Sequence, residues 1–335
     1  MSAVSLLPVP AHVLDAAGQV AFGKYTGAIA EIDWLALGAP YQRSRWWRRT
    51  HHKRWQYLAL ATEEIFCGVA IVDVGWTNTA FAYVFDRKQK QLIGRFSQDG
   101  LPGMTAHVNN RPSHGAASHF QCLGKRIDFS ISTDGEAILD VDCHKFSLHA
   151  AFCLREAAPS LTAIGPVEGG SVHATVKSSG IPLQGVVDVA GRQFLLDGGI
   201  GSSDYSNGFL ARETAWRWAS AHQLEIGFNL QAGYFGESEN ALWLDGELIA
   251  LGAARFEFDP ACPMGIWHIT TDDGLLDVYF QPEGCRQENK NLLIAASRYI
   301  QPIGTFRGWV RAHVDAPARA IADLVGVTED HYSRW

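Results

Sequence analysis

Long apolar runs are missing from this chain: no window approaches about 18 uninterrupted apolar residues, so no transmembrane helix is expected, while a peripheral membrane contact stays open to it. The N-terminus has no basic stretch followed by an apolar core, and none of Cys67, Cys122, Cys143, Cys153, Cys262 and Cys285 forms a C-x-x-C pair. A reducing, cytoplasmic setting with free thiols is therefore expected. Neither G-x-G-x-x-G nor G-x-x-x-x-G-K-[ST] occurs, so no nucleotide-phosphate cradle is supported and no cofactor is expected. The absence of G-x-S-x-G removes the α/β-hydrolase nucleophile. Charge is also sparse, at 19% of residues with a net charge of −7, which argues against a general nucleic-acid binder.

What is present reads as β-structure. Thirty-three glycines and 13 prolines in 335 residues imply many turns and few long helices, and the length fits about two domains. Residues 1 to about 40 look like an entry arm. Trp55–Leu60, Ile65–Asp73 and Thr79–Phe85 are successive runs rich in β-branched and aromatic residues, predicting a meander. Asp99-Gly100, Asp134-Gly135, Asp197-Gly198, Asp245-Gly246 and Asp273-Gly274 are turn dipeptides, of which Asp134-Gly135 and Asp245-Gly246 are bracketed by the clearest hairpin strands. Only Pro10–Ala17 and Pro317–Val325 suggest short helices. Interruptions between Pro159 and Gly170 place a boundary that divides the chain into β domains of residues 1–165 and 166–335.

Arg43 to Tyr57 interleaves Arg43, Arg45, Arg48, Arg49, Lys53 and Arg54 with Trp46, Trp47 and Trp55. Such a segment suits single-stranded nucleic acid or an anionic head group, but in an acidic protein a solvated edge strand is the simpler expectation. Cys143, His144, His149 and Cys153 are metal-ligand types, yet on one strand Cys143 and Cys153 would lie about 33 Å apart. No metal site is expected.

The densest chemistry lies between Asp204 and Glu239. Strand alternation puts Trp216 and Trp218 on one face and Arg217 on the other, as a pocket wall or as a buried Trp pair backed by an ion-paired Arg. A carboxyl buried against tryptophan keeps its proton near neutral pH, and Trp faces stabilise a developing cation. Asp204, Glu213 and Glu239 are the acid candidates, with Tyr205 and His222 as relays.

Lys177-x-x-x-x-Pro182-x-x-Gly185, Asp204-Tyr205-Ser206-x-Gly208, Thr214-x-Trp216-x-Trp218-Ala219-Ser220-Ala221, Gly227-x-Asn229-Leu230, Glu239-Asn240 and Asp245-Gly246 together resemble the bacterial family of unknown function numbered 2804. Gly304-x-Phe306-x-Gly308, Gly326-x-x-Glu329, Trp335 and the basic strand ending Trp55-x-Tyr57 extend the resemblance over most of the chain. More distantly, the sequence is similar to two-domain lipocalin-like proteins that include AttH-like proteins, carotenoid hydratases and tocopherol cyclases. That similarity implies a mainly β fold of two packed calycin-type antiparallel barrels, with an apolar ligand at a barrel mouth or between the domains. It also implies acid-initiated hydration or cyclisation of a prenyl-like substrate.

The expected function is a cofactor-independent lyase or isomerase for a hydrophobic, isoprenoid or lipid substrate. Asp204, Glu239 and Tyr205 are its catalytic candidates, and Trp216, Trp218, Arg217, Lys177, Asn229 and Trp243 its substrate-binding candidates. The alternative is a carrier of a small hydrophobic ligand, in which Asp204 and Arg217 form a structural ion pair. Nucleic-acid binding through Arg43 to Tyr57 ranks last.

Overall fold

The computed structural model describes residues 6–292 and 295–335. They form two large, mainly antiparallel sheets, each curled so that its last strand packs back against an inner one, as the similarity to two-domain lipocalin-like proteins implied.

The first sheet runs Gln91–Gly100, Asn78–Asp86, Ile65–Asp73, His52–Ala61, Ile200–Phe209, Val172–Val189, Phe146–Phe152, Ala137–Cys143, Lys125–Ile131, Ala117–Cys122 and Ala106–Val108, with four short strands off this path. The second runs Glu247–Ala250, Ala241–Leu244, Ile226–Gly233, Glu213–His222, Arg319–Arg334, Ala295–Val310, Leu276–Leu292, Trp267–Thr271 and Ala254–Glu257. The chain passes from one sheet to the other between Phe209 and Glu213. Residue 165, the expected boundary, instead lies inside the hairpin of Leu161–Pro166 with Val172–Val189, because Gly165-Pro166 leads into a tight connection within the first sheet.

Each sheet encloses its own apolar core, the first around residues such as Phe120, Leu139 and Val187, the second around Phe228, Trp267 and Phe280. Side chains of this kind contribute roughly 1.5–3 kcal/mol each on full burial. A third cluster joins the sheets: Tyr57, Ala59, Phe66, Ala70, Tyr83 and Phe85 meet Trp218, Ile303 and Val327. The second half of the His52–Ala61 strand is thus buried on both faces, with Leu58 and Leu60 turned into the first core, so Tyr57 to Ala61 read in sequence as a continuous apolar run.

Most of the predicted hairpins form. Asp134-Gly135 and Asp245-Gly246 join paired strands, and Asp245 (φ 52°) and Gly246 (φ 84°) adopt the left-handed pair of a tight two-residue turn. Asp99-Gly100 is not a turn. It ends a strand, with Gly100 opposite Asn78, and a Cβ there would meet Thr105 Oγ1 and the Asn78 side chain within about 2 Å, so close packing requires the glycine.

Neither expected helix is present. Pro317–Val325 feeds the Arg319–Arg334 strand, whose pairing on both sides overrides its Ala and Leu spacing, and residues 10–17 are turn and loop. The α-helix among the described residues is Arg45–His51, inside the segment expected to be an edge strand. Ser44 caps it by accepting from Trp47 N at 3.3 Å, and the His52–Ala61 strand follows directly. No helix among the described residues is long and apolar enough to cross a membrane.

Candidate functional site

The Val172–Val189 and Ile200–Phe209 strands pair with Lys177 directly opposite Asp204. Both side chains point towards the second sheet, where the Glu213–His222 strand presents Trp216 and Trp218. Lys177 Nζ lies 2.5 Å from Asp204 Oδ2 and 3.2 Å from Glu239 Oε2. Lys177 and Glu239 are both 4% exposed, against 14% for Asp204.

Glu239 is supplied by the turn after Ile226–Gly233, which a short polar relay fixes in place. Asn229 Nδ2 donates to the Glu239 carbonyl at 2.9 Å, and Asn229 Oδ1 accepts from Trp218 Nε1 at 2.8 Å. Asn240 Oδ1 accepts from Gln231 N at 2.6 Å while its Nδ2 donates to Gly252 O at 2.9 Å. Asn229 therefore orients Trp218 and the Glu239 turn.

A third carboxyl group, that of Glu329, stands on the Arg319–Arg334 strand. Glu329 Oε1 accepts from Trp216 Nε1 at 2.8 Å and Oε2 from Gln301 Nε2 at 3.0 Å, while the His331 ring lies 3.2 Å from Oε1. Gln301 in turn accepts from the Tyr83 hydroxyl at 2.7 Å. Glu329, Gln301, Trp216 and His331, together with Trp55, Tyr57, Phe81, Tyr234 and Tyr299, line a cavity of about 120 Å³ between the sheets. Behind its aromatic wall the Arg286 guanidinium sits 3.6 Å from the Phe81 ring centroid and 4.7 Å from that of Tyr299.

The electrostatics follow from burial. Burial raises the pKa of Glu239; the Lys177 ammonium opposes that shift and the neighbouring Asp204 charge adds to it, leaving a net rise. For Lys177, burial disfavours the charge, but Asp204 and then Glu239 outweigh it and its pKa is raised. One ammonium thus faces two carboxyl groups, and burial favours the neutral form of Glu239. Burial also raises Tyr57, Tyr234 and Tyr299, so these phenols stay protonated. His173, fully buried beside Tyr234 and Phe235, is pushed down to about 3 by burial and by Lys177. The Gln231 side chain, 1% exposed, has no hydrogen-bond partner at either end among the described residues, and it lines the same cavity.

Of the candidates chosen from sequence, Lys177, Asp204, Glu239, Trp216 and Trp218 converge on this cavity. Tyr205 points the other way, into the first core, where its hydroxyl donates to Asn109 O at 2.7 Å; adjacent strand residues cannot share a face. Arg217 lies on the outer face, 46% exposed and 3.5 Å from Asp330. The structural ion pair weighed for it with Asp204 is absent, since Asp204 pairs with Lys177. Trp243 packs against Leu161 and donates to Pro159 O at 2.8 Å, bracing one sheet on the other. Glu213 is exposed at a strand end, and the His222 ring bridges the hydroxyls of Ser179 and Ser220, both at 2.6 Å. Tyr57, Glu329, Gln301 and Tyr299 were not singled out individually. Tyr57 and Glu329 did carry a signal, as members of the Trp-x-Tyr and Gly-x-x-Glu patterns.

A larger cavity of about 300 Å³ lies inside the first sheet, walled by Leu58, Phe129, Ile131, Phe152 and Ile181. Ser178 and Ser203 face it, one residue along from Lys177 and Asp204, so the same two strands serve both cavities through their alternating faces. Its ionisable lining groups His114, Asp134 and Arg155 are exposed at the surface.

The family model described as "Domain of unknown function (DUF2804)" matches residues 7–335, and the chain belongs to that family. No curated protein matches it by sequence. Among solved structures, kievitone hydratase from Nectria haematococca is similar at 10% identity and a TM-score of 0.53, covering 98% of both chains. CghA with Sch210972 is similar at 10% identity and a TM-score of 0.58, again over 98% of both chains. These likenesses show a shared two-domain lipocalin-like fold.

Proposed function

We propose that this DUF2804 protein is a cofactor-independent lyase or isomerase of the hydratase or cyclase type, acting on a hydrophobic substrate in the cavity between its sheets. The observation that carries this is Glu239: a buried carboxyl with a raised pKa, held beside an already paired Lys177 and Asp204 and facing an aromatic wall. A shared fold with a protein named a hydratase is consistent with it.

In this scheme the Glu239 carboxyl gives its proton to one carbon of a substrate alkene, whose π electrons form the new C–H bond. The adjacent carbon becomes cationic. Trp216, Trp218 and Tyr57 offer ring faces to that charge, which is worth roughly 0.5–2 kcal/mol per well-placed ring. The cation is then captured by water, whose proton passes to Glu329, or by a second alkene of the same molecule in a cyclisation that ends with loss of a proton to Glu329. Gln231 is placed to bond a polar substituent of the substrate. Asp204, the donor first suggested by sequence, engages the Lys177 ammonium and adds its own negative charge beside Glu239, and both effects favour the protonated acid.

Incubation of the protein with a panel of isoprenoid alkenes in D2O, followed by mass spectrometry, tests this. Wild type is expected to add one deuteron to carbon and Glu239→Gln to add none. Equal incorporation by the two would refute the assignment.

A second reading, carriage of an apolar ligand, is favoured by the 300 Å³ cavity of the first sheet, with its apolar walls and hydroxyl-bearing floor. Native mass spectrometry of protein from its own host, finding a bound apolar compound that leaves unchanged, would support it.

A further inference from the structure

The basic and aromatic segment at Arg43 to Tyr57 takes no direct part in that chemistry beyond Trp55 and Tyr57, and its placement gives it a different task. We infer that the end of the first sheet bearing the helix Arg45–His51 docks on an anionic lipid surface. The inference builds on the proposed apolar substrate but is tested without it.

Four large apolar side chains stand in solvent at this end: Trp46 at 79% exposure, Leu35 at 78%, Met104 at 77% and Leu101 at 59%. Hydrogen bonds and close packing tie the segments carrying them into one face. Arg48 donates to Trp34 O and Leu35 O, joining the helix to the loop of Leu35. Gly75 packs so closely on Arg49 O that a Cβ there would lie 2.4 Å away, which sets the turn at 74–77 against the helix. Thr77 and Asn78 then donate to Gly100 O and Leu101 O, bringing in the loop that carries Leu101 and Met104.

The charges on this face are complementary to an anionic layer, although the whole chain carries −7. Arg45 and Arg49 are exposed and have no ion pair among the described residues. Two of the acids nearby are ion-paired, Glu31 at 3.7 Å from Arg111 and Asp99 bound by Lys290 at 2.7 Å, which leaves Asp33, bonded to Leu35 N, against the two free arginines. Apolar tips of Trp, Leu and Met among unpaired arginines form the pattern of a protein that seats its side chains at the headgroup boundary while its cations meet lipid phosphates.

The face also adjoins the cavity. Lys53 donates to Thr50 O in the helix, and its ammonium lies 5.4 Å from the ring of Trp335, which lines the inter-sheet cavity. A substrate dissolved in the bilayer would thus be delivered next to the site.

Flotation of the full-length protein with vesicles tests the inference. At low salt the protein should float with phosphatidylglycerol/phosphatidylcholine vesicles and be released by high salt. Trp46→Ser/Met104→Ser and Arg45→Glu/Arg49→Glu should each weaken binding by about tenfold or more, and circular dichroism should show both variants folded. Failure of the wild type to float, equal flotation with pure phosphatidylcholine, or wild-type binding by both variants would overturn it. So would retention of a single-stranded oligonucleotide by the same arginines without vesicle binding, which would make the face a nucleic-acid surface. Because flotation needs no turnover, its failure would leave the Glu239 assignment standing, and an inactive Glu239 would leave docking standing.

Discussion

Lys177 and Asp204 are direct register partners across the ladder of the Val172–Val189 and Ile200–Phe209 strands, and their charged ends meet at 2.5 Å. The pair makes Glu239 the odd member of a buried trio. With the ammonium matched to one carboxylate, ionising the second leaves a net negative charge away from water, which is the physical reason the Glu239 pKa is raised.

Removal of the cation alone should be severe. Lys177→Met leaves the Asp204 carboxylate without its counter-ion and Glu239 without the partner at 3.2 Å, and is expected to lower stability by about 3–5 kcal/mol in urea denaturation. Adding Asp204→Asn and Glu239→Gln to it should recover most of that loss. A stable single variant would contradict the electrostatic description.

Kinetics should separate the two acids. On a reactive isoprenoid substrate, Glu239→Gln should lower turnover by about 10²–10⁴-fold. Asp204→Asn should act differently. Without the Asp204 charge, Lys177 pairs more fully with Glu239 and lowers its pKa. Activity requires protonated Glu239 and falls as pH rises through that pKa, so the alkaline limb of the pH–rate profile should move to lower pH.

Arg217 serves as a control on the same strand. It is 46% exposed on the outer face, so Arg217→Ala should change stability by no more than about 0.5 kcal/mol and leave kcat/KM unaltered. Trp218→Phe, in contrast, strands the buried Asn229 Oδ1 and should cost about 1–3 kcal/mol. Chemical denaturation and steady-state kinetics check both.

Acid should unfold the protein partly through His173. Its pKa is about 3 in the fold, against an ordinary 6.5, so between these values the unfolded chain binds the extra proton. Stability from this group therefore rises with pH across the window and is lost on acidification, with a slope of about 1.4 kcal/mol per pH unit. His173→Gln should remove that component of the slope in denaturation curves recorded from pH 4 to pH 6.

Local pattern made part of the site legible. Alternation correctly separated Trp216 and Trp218 from Arg217, and the same rule would have excluded Tyr205 once Asp204 was chosen, since neighbours on a strand face opposite ways. The hairpin at Asp245-Gly246 was readable because its turn needs left-handed residues. Glu329, Gln301 and Phe81 were not, because they reach the cavity only when strands far apart in sequence stack in two facing sheets. The helix at Arg45–His51 was hidden for a related reason: a single Ser44 cap in a run of aromatic and basic residues leaves no periodic apolar face to detect.

The most direct test is infrared spectroscopy of the Glu239 carboxyl, comparing wild type with Glu239→Gln as pH is varied. A protonated-carboxyl stretch that persists at neutral pH in the wild type and vanishes in the variant is the predicted result. Loss of that band near the ordinary carboxylate pKa, or its survival in Glu239→Gln, would contradict the claim that Glu239 is the stored acid.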